Sequence, residues 1–294
     1  MMRFIASAAL LLTPMAAFAQ EDAGRKATIE YMRSLQTSAG GFLSMKPAPN
    51  VRLAPTLRAT SAAIRALHYL QGEAPNPQGA AEYVDRCFDA ASGGFSDMPG
   101  GTPDVFATSV GLMAVVALKM PVEKYASPAS KYLTENAKSF EDMRIAVAGL
   151  EAIGVKVSKT NEWREAIRKT QNDDGSFGKG DGAARATGSA AVALMRLGET
   201  VDREAVLKTL NAGQRRNGGF GKEDDAESAD LETSYRIMRC YMMIRAQPGR
   251  PEGLRTFVAK CRNADGGYGV APGQGSNIGA VYYAAIIQHW LNTK

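Results

Sequence analysis

Mixed stretches and almost wholly apolar stretches alternate along this chain. The stretch 161–171 places Trp163 and Ile167 on one helical face and charged residues elsewhere, which is typical of a surface helix with one buried side. The stretch 184–197 that follows is apolar almost all round, and the stretch 105–118 carries no charge at all. A helix of this kind has to be covered on both sides. The pattern therefore predicts helix pairs, each with an amphipathic outer member and a buried inner member.

A short glycine-containing turn separates the two members of most pairs. Its five copies, each ending in Phe or Tyr, occupy residues 39–42, 92–95, 174–177, 217–220 and 265–268. A glycine can adopt the left-handed conformation that closes a helix end, and an apolar residue after it can pack back on the last turn. We therefore expect each turn to cap the outer helix that precedes it. One interval between turns is about twice the others, which indicates that one copy has lost its turn.

Six helix pairs fit the chain on this pattern. The predicted units run over 24–71, 76–120, 123–154, 161–198, 202–245 and 250–292. In the third unit, the stretch 132–137 leads almost directly into 140–153 with no glycine turn. Because an inner helix needs cover on both sides, we predict an all-α fold in which six pairs close into an α/α toroid with an inner and an outer layer. An open solenoid is the alternative, although its helices are usually half exposed.

Length and composition favour one globular domain behind a removable N-terminal segment. The 294 residues are 45% hydrophobic, which is enough for a substantial core. Residues 1–19 contain Arg3, an apolar run over 4–12 and a final Ala17-Phe18-Ala19, the pattern of a signal peptide whose apolar run is too short to span a bilayer. We predict a signal peptide at 1–19, a single domain at 20–294, export to the periplasm or the extracellular space, and no membrane span in the mature chain.

Charge and cysteine content narrow the classes of partner. The net charge of +5 at pH 7 is weak for this length, and no basic stripe interleaved with aromatic residues occurs. We therefore expect no nucleic-acid partner. The three cysteines leave one thiol unpaired in any disulfide scheme. A Cys240–Cys261 bridge and three buried free thiols, including Cys87, are the two alternatives.

The five turns in phase with helix pairs resemble those of the α/α toroids of protein prenyltransferase β subunits and of squalene or terpene cyclases. The resemblance extends over residues 24–292. It implies a central cavity lined by the inner helices, where members of this superfamily hold isoprenoid chains. An isoprenoid or another hydrophobic small molecule is therefore the expected ligand.

The rim at which the inner helices begin is the expected binding end. If those helices run parallel, their unpaired amides and dipoles converge there and attract an anion such as a diphosphate. The cations expected near this rim are Arg58, Arg144, Lys179, Arg185 and Lys222. The predicted ligand-binding residues are Arg58, Asp104, Thr108, Arg185, Thr187, Thr233 and Tyr235. Alternatively, the hydroxyls cap helix starts and the cations are solvated.

The resemblance implies a zinc site that this sequence does not complete. Prenyltransferase β subunits carry zinc on an Asp-x-Cys pair at the start of the fifth inner helix and on a later histidine. At the position of the Asp-x-Cys pair this sequence has Asp230-Leu231-Glu232, in which glutamate replaces the cysteine. At the position of the later histidine it has the stretch 277–280, which begins at Asn277 and contains no histidine. The two histidines, His68 and His289, fall near the far ends of their helices. Since zinc prefers Cys and His donors, we predict no metal site, and the cofactor stays unknown.

The cyclases of this superfamily imply an Asp-x-Asp-Asp proton donor, which is also incomplete. The stretch that begins at Asp104 keeps only the first of the three acids of this motif, whereas Asp230-Leu231-Glu232 keeps two of the three acids. We therefore name Asp230 and Glu232 as the candidate catalytic residues. A carboxyl of Glu232 one turn inside an apolar wall would have a raised pKa and serve as an acid. The alternative is an exposed acid near a helix N-terminus.

Three functions remain open at this point. The first is an exported toroid that binds an isoprenoid or lipid in its cavity, with transfer chemistry undecided because the zinc ligands are incomplete. The second is a non-catalytic secreted module or scaffold for a protein partner. The third is a carbohydrate-active α/α barrel in which Asp104 and Glu232 are the paired carboxylates. Against the third, Trp163 and Trp290 are expected at outer or terminal positions, away from a sugar platform.

Overall fold

Twelve α-helices in two layers make up the part of the chain that the structure describes. The computed structural model covers residues 14–222 and 228–293, so the first 13 residues of the predicted signal peptide lie outside it. The outer helices are α1 (Pro14–Arg33), α3 (Pro77–Arg86), α5 (Glu123–Asn136), α7 (Thr160–Arg168), α9 (Arg203–Ala212) and α11 (Pro251–Lys260). The inner helices are α2 (Leu57–Tyr69), α4 (Val105–Ala117), α6 (Phe140–Ala152), α8 (Ala183–Arg196), α10 (Leu231–Met243) and α12 (Ile278–Asn292).

The inner helices form a closed ring. Each packs against the next along the chain, and α12 packs against α2. The outer layer closes as well, because the Thr28 hydroxyl of α1 donates to the Gly266 carbonyl at 2.8 Å. The Arg262 guanidinium donates to the Gly24 carbonyl at 2.7 Å. The predicted all-α toroid of six helix pairs is therefore confirmed, and the open solenoid is excluded.

The difference between outer and inner helices follows the sequence pattern. On α7 only Trp163 and Ile167 are buried, at 1% and 2% exposure. On α4 nine of the 13 residues are buried. The third unit needs no glycine turn because Ser139 starts α6 with a capping box, in which the Ser139 backbone N–H donates to the Asp142 carboxylate and the Asp142 N–H donates to the Ser139 hydroxyl. These two reciprocal bonds satisfy donors at a helix start.

The glycine turns lie beyond the helix ends and do not cap them. The helix α1 ends at Arg33, and Gly40 follows inside a tight turn closed by the Gln36–Phe42 bridge. Gly40 has a φ of 91°, and a Cβ there would lie 2.0 Å from the Gly79 carbonyl oxygen of α3. The expectation of a helix cap was therefore wrong. The glycine is required because the turn needs a positive φ and touches the backbone of the next outer helix.

Hydroxyls on the inner helices hold these turns in place. The backbone N–H of Phe95 donates to the Thr108 hydroxyl at 2.9 Å, and that of Phe177 donates to Thr187 at 2.8 Å. The Phe42–Thr60 and Phe220–Ser234 pairs repeat the bond. Each hydroxyl lies one turn inside its helix and accepts a hydrogen bond from the buried backbone N–H of the aromatic residue in the turn. The bond satisfies that buried donor. The recurring Thr and Ser positions are therefore explained by the fold.

The three cysteines are free and buried. Burial raises the pKa of each thiol to about 12, so they behave as small apolar side chains. The interpretation of buried thiols is confirmed, and the Cys240–Cys261 bridge does not form. Among the described helices, none combines the length and the apolar character that a membrane crossing requires.

Candidate functional site

A central cavity of about 900 Å³ lies inside the inner ring. Its lining reaches from Thr56 and Asn277, where α2 and α12 begin, to Tyr69 and Ala152, where α2 and α6 end. The inner helices of 13 to 15 residues are about 20 Å long at a rise of 1.5 Å per residue. The cavity is therefore a bore along the ring axis, with an N-terminal rim and a C-terminal half.

One wall of the bore is apolar. It is formed by α2, α4 and α6, and its lining side chains are Ala59, Ala62, Val110, Met113, Ile145 and Ala148. The small alanines leave room on this side, and Arg58, Arg65 and Arg144 of the same helices also line the cavity. Phe106 extends the wall to the rim, where its ring lies under the Arg58 guanidinium at 4.7 Å. This wall is suited to a hydrocarbon chain.

The N-terminal rim carries cations that are paired with carboxylates. Arg58 contacts Asp104 at 2.7 Å and Asp97 at 3.6 Å. Arg144 contacts Glu141 at 2.8 Å. Because each of these arginines already has an acidic partner, the rim has little positive charge left for an anionic ligand. The two predicted rim lysines, Lys179 and Lys222, are exposed and lie outside the cavity lining.

Arg236 joins the Arg144–Glu141 pair to Glu232 in one network across the bore. It contacts Glu232 at 2.7 Å on its own helix and Glu141 of α6 at 2.9 Å, and its side chain is only 13% exposed. Glu232 also accepts from Arg185 of α8 at 3.3 Å. Burial favours the neutral form of Glu141, but the guanidinium groups of Arg144 and Arg236 outweigh it and lower its pKa. The network therefore bridges α6, α8 and α10 at the rim.

A second charged cluster lies deeper in the bore on the α2, α10 and α12 side. Arg65 donates to the Tyr282 hydroxyl, whose oxygen lies 3.3 Å from that of Tyr235. Arg239 donates to the Tyr235 hydroxyl at 3.4 Å and stacks on Trp290 at 4.6 Å. A chain of three hydrogen bonds thus links the two guanidinium groups through two phenols. We call these five residues the deep cluster.

The two phenols of the deep cluster respond differently to their surroundings. Burial opposes ionisation of Tyr235, but the guanidinium groups of Arg239 and Arg65 outweigh it and lower its pKa. Burial raises the pKa of Tyr282. The Tyr235 ring also lies 5.7 Å from the Trp290 ring, with an angle of 11° between the planes. The deep cluster is therefore both aromatic and electropositive, in contrast to the apolar wall.

Three of the predicted site residues line the cavity, namely Arg58, Glu232 and Tyr235. Glu232 is the shared acceptor of two arginines, so it does not stand alone in an apolar wall as an acid catalyst would require. Asp104 and Asp230 each cap an inner helix through a backbone N–H, at 2.6 and 2.7 Å. Both aspartates therefore have structural roles at helix starts.

The other predicted ligand-binding residues lie outside the cavity lining. Thr108 and Thr187 are fully buried and hold the glycine turns. Thr233 donates its hydroxyl to Asp230 at 2.8 Å. Arg185 forms an ion pair with Glu232 at 3.3 Å. In each case the hydroxyl or cation at a helix start is used by the backbone or by a neighbouring carboxylate, and ligand binding by these residues stays a prediction.

Several lining residues were missed from the sequence, and they come from the deep cluster. Arg239 lies on α10 between the buried residues Met238 and Cys240. A cation between apolar residues of an inner helix could have indicated that its side chain faces the cavity. Trp290 lies in the last turn of α12, which agrees with the expected terminal position; its ring is 5% exposed, stacks on Tyr235 and lies behind the cavity lining. Arg65, Arg239 and Tyr282 were overlooked as lining residues because the inner helices were treated as apolar almost all round.

The residues present do not fit a zinc ion. Asp230 is occupied as a helix cap, and Asn277 caps α12 through Ala280 at 2.9 Å. His68 and His289 lie near the C-terminal ends of α2 and α12, at the opposite end of the bore. Within residues 14–222 and 228–293, no group of three or more His, Cys, Asp and Glu could hold a metal ion. We therefore derive no step through zinc.

Comparison with protein families gives one match. The sequence matches the prenyltransferase alpha-alpha toroid domain over residues 1–77, 71–143 and 122–293. Comparison with curated proteins finds no significant match.

Solved structures with the same fold have several activities. The type II terpene cyclase MstE from Scytonema superposes with a TM-score of 0.63 at 11% identity, covering 93% of this chain and 97% of the cyclase. Candida albicans protein geranylgeranyltransferase-I, in complex with GGPP, has a TM-score of 0.61 at 12% identity, covering 79% and 83%. A glycosidase variant in complex with glucose has a TM-score of 0.62 at 12% identity, covering 93% and 98%. At these identities the likeness concerns the fold.

Proposed function

Because this chain belongs to the prenyltransferase alpha-alpha toroid family, we propose that its central cavity binds an isoprenoid or another hydrophobic small molecule. The observation on which the proposal rests is the bore of about 900 Å³, which is lined on α2, α4 and α6 by the apolar side chains described above. This volume is near the upper end of the range of about 300–1,000 Å³ for small-molecule sites. A chain laid along α2, α4 and α6 would remove apolar surface from water at about 25 cal/mol per Å².

Two relatives support the class of ligand. A variant of the Scytonema cyclase is known in complex with geranylgeranyl dihydroxybenzoate, its substrate, with a TM-score of 0.62 to this chain at 10% identity. The Candida transferase is known in complex with GGPP. Each of these ligands carries a long isoprenoid chain. The proposal concerns binding alone, because the acids and donors at the rim of this chain are engaged in caps and ion pairs.

A cavity-filling substitution tests the proposal. Met113→Trp adds bulk to the apolar wall, whereas Met45→Trp makes the same exchange at a loop residue that is 45% exposed and outside the cavity. We expect geranylgeraniol to bind the wild type and Met45→Trp with equal affinity and to bind Met113→Trp at least about tenfold more weakly, at 1.4 kcal/mol per tenfold. Circular dichroism controls for folding. No binding to the wild type, or equal binding to all three proteins, would overturn the proposal.

We also propose that the protein is exported before it binds this ligand. The support is the pattern of residues 1–19, with a basic start, an apolar run and Ala17-Phe18-Ala19 before Gln20. N-terminal sequencing of the protein recovered from outside the cytoplasm is expected to begin at Gln20. A product that begins at Met1 or Met2 in every fraction would contradict export with cleavage.

A further inference from the structure

The positive charge of the deep cluster is not compensated by the described residues. Arg65 and Arg239 form no salt bridge with any carboxylate in residues 14–222 and 228–293. Their neighbour Arg196 does pair with Glu151, at 2.8 Å. Lys119 and His68 add further nitrogen donors to the lining of this half. The C-terminal half of the bore therefore has more cations than carboxylates, unlike the rim, where the carboxylates match the arginines.

The two unpaired arginines also have unused hydrogen-bond donors. A guanidinium has five N–H donors, yet one hydrogen bond is formed by Arg65 and one by Arg239. Both side chains are half-buried and line the cavity. Desolvating a charge without a partner costs free energy. The two guanidinium groups in the bore are therefore available to pair with an anionic ligand.

The position of these groups defines where a ligand would place its charge. Arg65 and Arg239 are each the ninth residue of a 13-residue inner helix. Arg239 thus lies about 10 Å farther along the axis than the rim residue Glu232, at 1.5 Å per residue. Tyr235 and Tyr282 connect the two guanidinium groups. Both arginines offer unused N–H donors to an oxyanion in this part of the bore, and a planar guanidinium matches carboxylate and phosphate oxygens.

We propose that Arg65 and Arg239 bind the anionic head group of the ligand, a carboxylate or a phosphate monoester, in the C-terminal half of the bore. This inference rests on the proposed binding of a hydrophobic chain and adds the chemistry of its head and its orientation. The chain then extends along the apolar wall toward the rim. The ligand class is an acidic amphiphile that enters with its charge inward, which is the reverse of binding by helix N-termini.

Three probes with one chain and different heads test the inference. They are geranylgeraniol, geranylgeranoic acid and geranylgeranyl monophosphate, titrated by calorimetry with the full chain. For the wild type we expect the acid or the phosphate to bind at least about tenfold more tightly than the alcohol, as for hydrogen bonds to a charged group. The better of the two anions identifies the head. Equal affinities for all three probes would overturn this inference alone, whereas no binding of any probe would overturn the proposed function and this inference with it.

Single substitutions locate the head. Arg65→Gln and Arg239→Gln are each expected to weaken binding of the preferred anion by about tenfold or more and to leave geranylgeraniol within about twofold. Arg164→Gln is the matched control, because Arg164 pairs with Glu199 outside the cavity. A loss that occurs in Arg58→Gln at the rim, and not in the two deep variants, would overturn the proposed orientation.

A purely structural role for the two arginines makes a different prediction. In that case the aromatic faces and the C-terminal helix dipoles hold the cations, and the deep variants lower the unfolding midpoint without changing the preference for an anionic head. Arg65→Lys and Arg239→Lys, which keep the charge, are expected to retain part of that preference. A preference that is unchanged in both the Gln and the Lys variants would contradict the inference, and the wild-type probe series decides independently if a variant fails to fold.

Discussion

The rim and the deep cluster both carry arginines in the same bore, but of these two groups only the rim arginines have carboxylate partners among the residues that the structure describes. At the rim, Arg236 is held between Glu141 and Glu232. About one turn farther along the same helix, Arg239 contacts, among the residues that the structure describes, the phenol and ring of Tyr235 and the ring of Trp290. A compensated charge of this kind joins helices, whereas an uncompensated one in a cavity is available to a ligand. The same residue type thus has two roles set by its neighbours.

The largest expected effect comes from breaking the rim network. Arg236→Met removes the cation between Glu141 and Glu232 and leaves two carboxylates facing one another. We expect the free energy of unfolding to fall by about 2 kcal/mol, less than for a fully buried pair because both carboxylates are partly exposed. Urea denaturation followed by circular dichroism measures it. A stability equal to that of the wild type would show that the network does not hold α6 against α10.

The matched substitution in the deep cluster is expected to cost much less. Arg239→Met loses cation–π contacts with Tyr235 and Trp290, but it also removes a charge that has no carboxylate partner within residues 14–222 and 228–293. These two effects oppose each other, so the free energy of unfolding should stay within about 1 kcal/mol of the wild type. The same urea titration checks this. A loss as large as that of Arg236→Met would remove the distinction between the two regions.

Acid titration is expected to affect the rim. The pKa of Glu141 is lowered from 4.5 by Arg144 and Arg236 in spite of burial, so its contribution to stability is present above that pH. The contribution is lost as the pH falls below 4.5, because protonation ends the ion pairs. Between about pH 5 and pH 3, Glu141→Gln and Arg236→Met should both show a shallower decline in stability than the wild type. Three parallel declines would contradict the assignment.

The smallest expected effect is spectroscopic and belongs to the deep cluster. Two guanidinium groups lower the pKa of Tyr235 from 10.0, so one tyrosine should ionise below pH 10 in the ultraviolet absorbance of the folded protein. Tyr235→Phe should lack this ionisation. A bound anion adds negative potential and should raise that pKa toward its usual value. If no tyrosine ionises early, or if the ionisation persists in Tyr235→Phe, the electropositive character of the cluster is refuted.

The fold could be predicted from the sequence because its determinants are local and repeated. An amphipathic stretch around Trp163 and an apolar stretch such as 105–118 each specify one layer, and six copies specify the ring. The glycine turns were recognised, but their role was misassigned. Whether Gly40 caps a helix or touches the backbone of Gly79 depends on where the next helix packs, which no local pattern contains.

The site was only partly predictable, because its chemistry depends on pairing across the ring. Arg58 and Tyr235 were identified as cavity residues, since helix starts point to the rim. The hydroxyls of Thr108 and Thr187 had the same pattern but serve the turns. Arg65 and Arg239 are far apart in the chain and are linked only because Tyr282 of α12 meets Tyr235 of α10 between them. Whether a cation has a partner is a tertiary property.

A crystal structure of the protein with geranylgeranoic acid would test the central claim most directly. The claim predicts the carboxylate between the guanidinium groups of Arg65 and Arg239, with the chain along Ala62, Val110 and Met113 toward the rim. A carboxylate at the rim beside Arg58 or Arg236, with the chain pointing into the deep cluster, would contradict it.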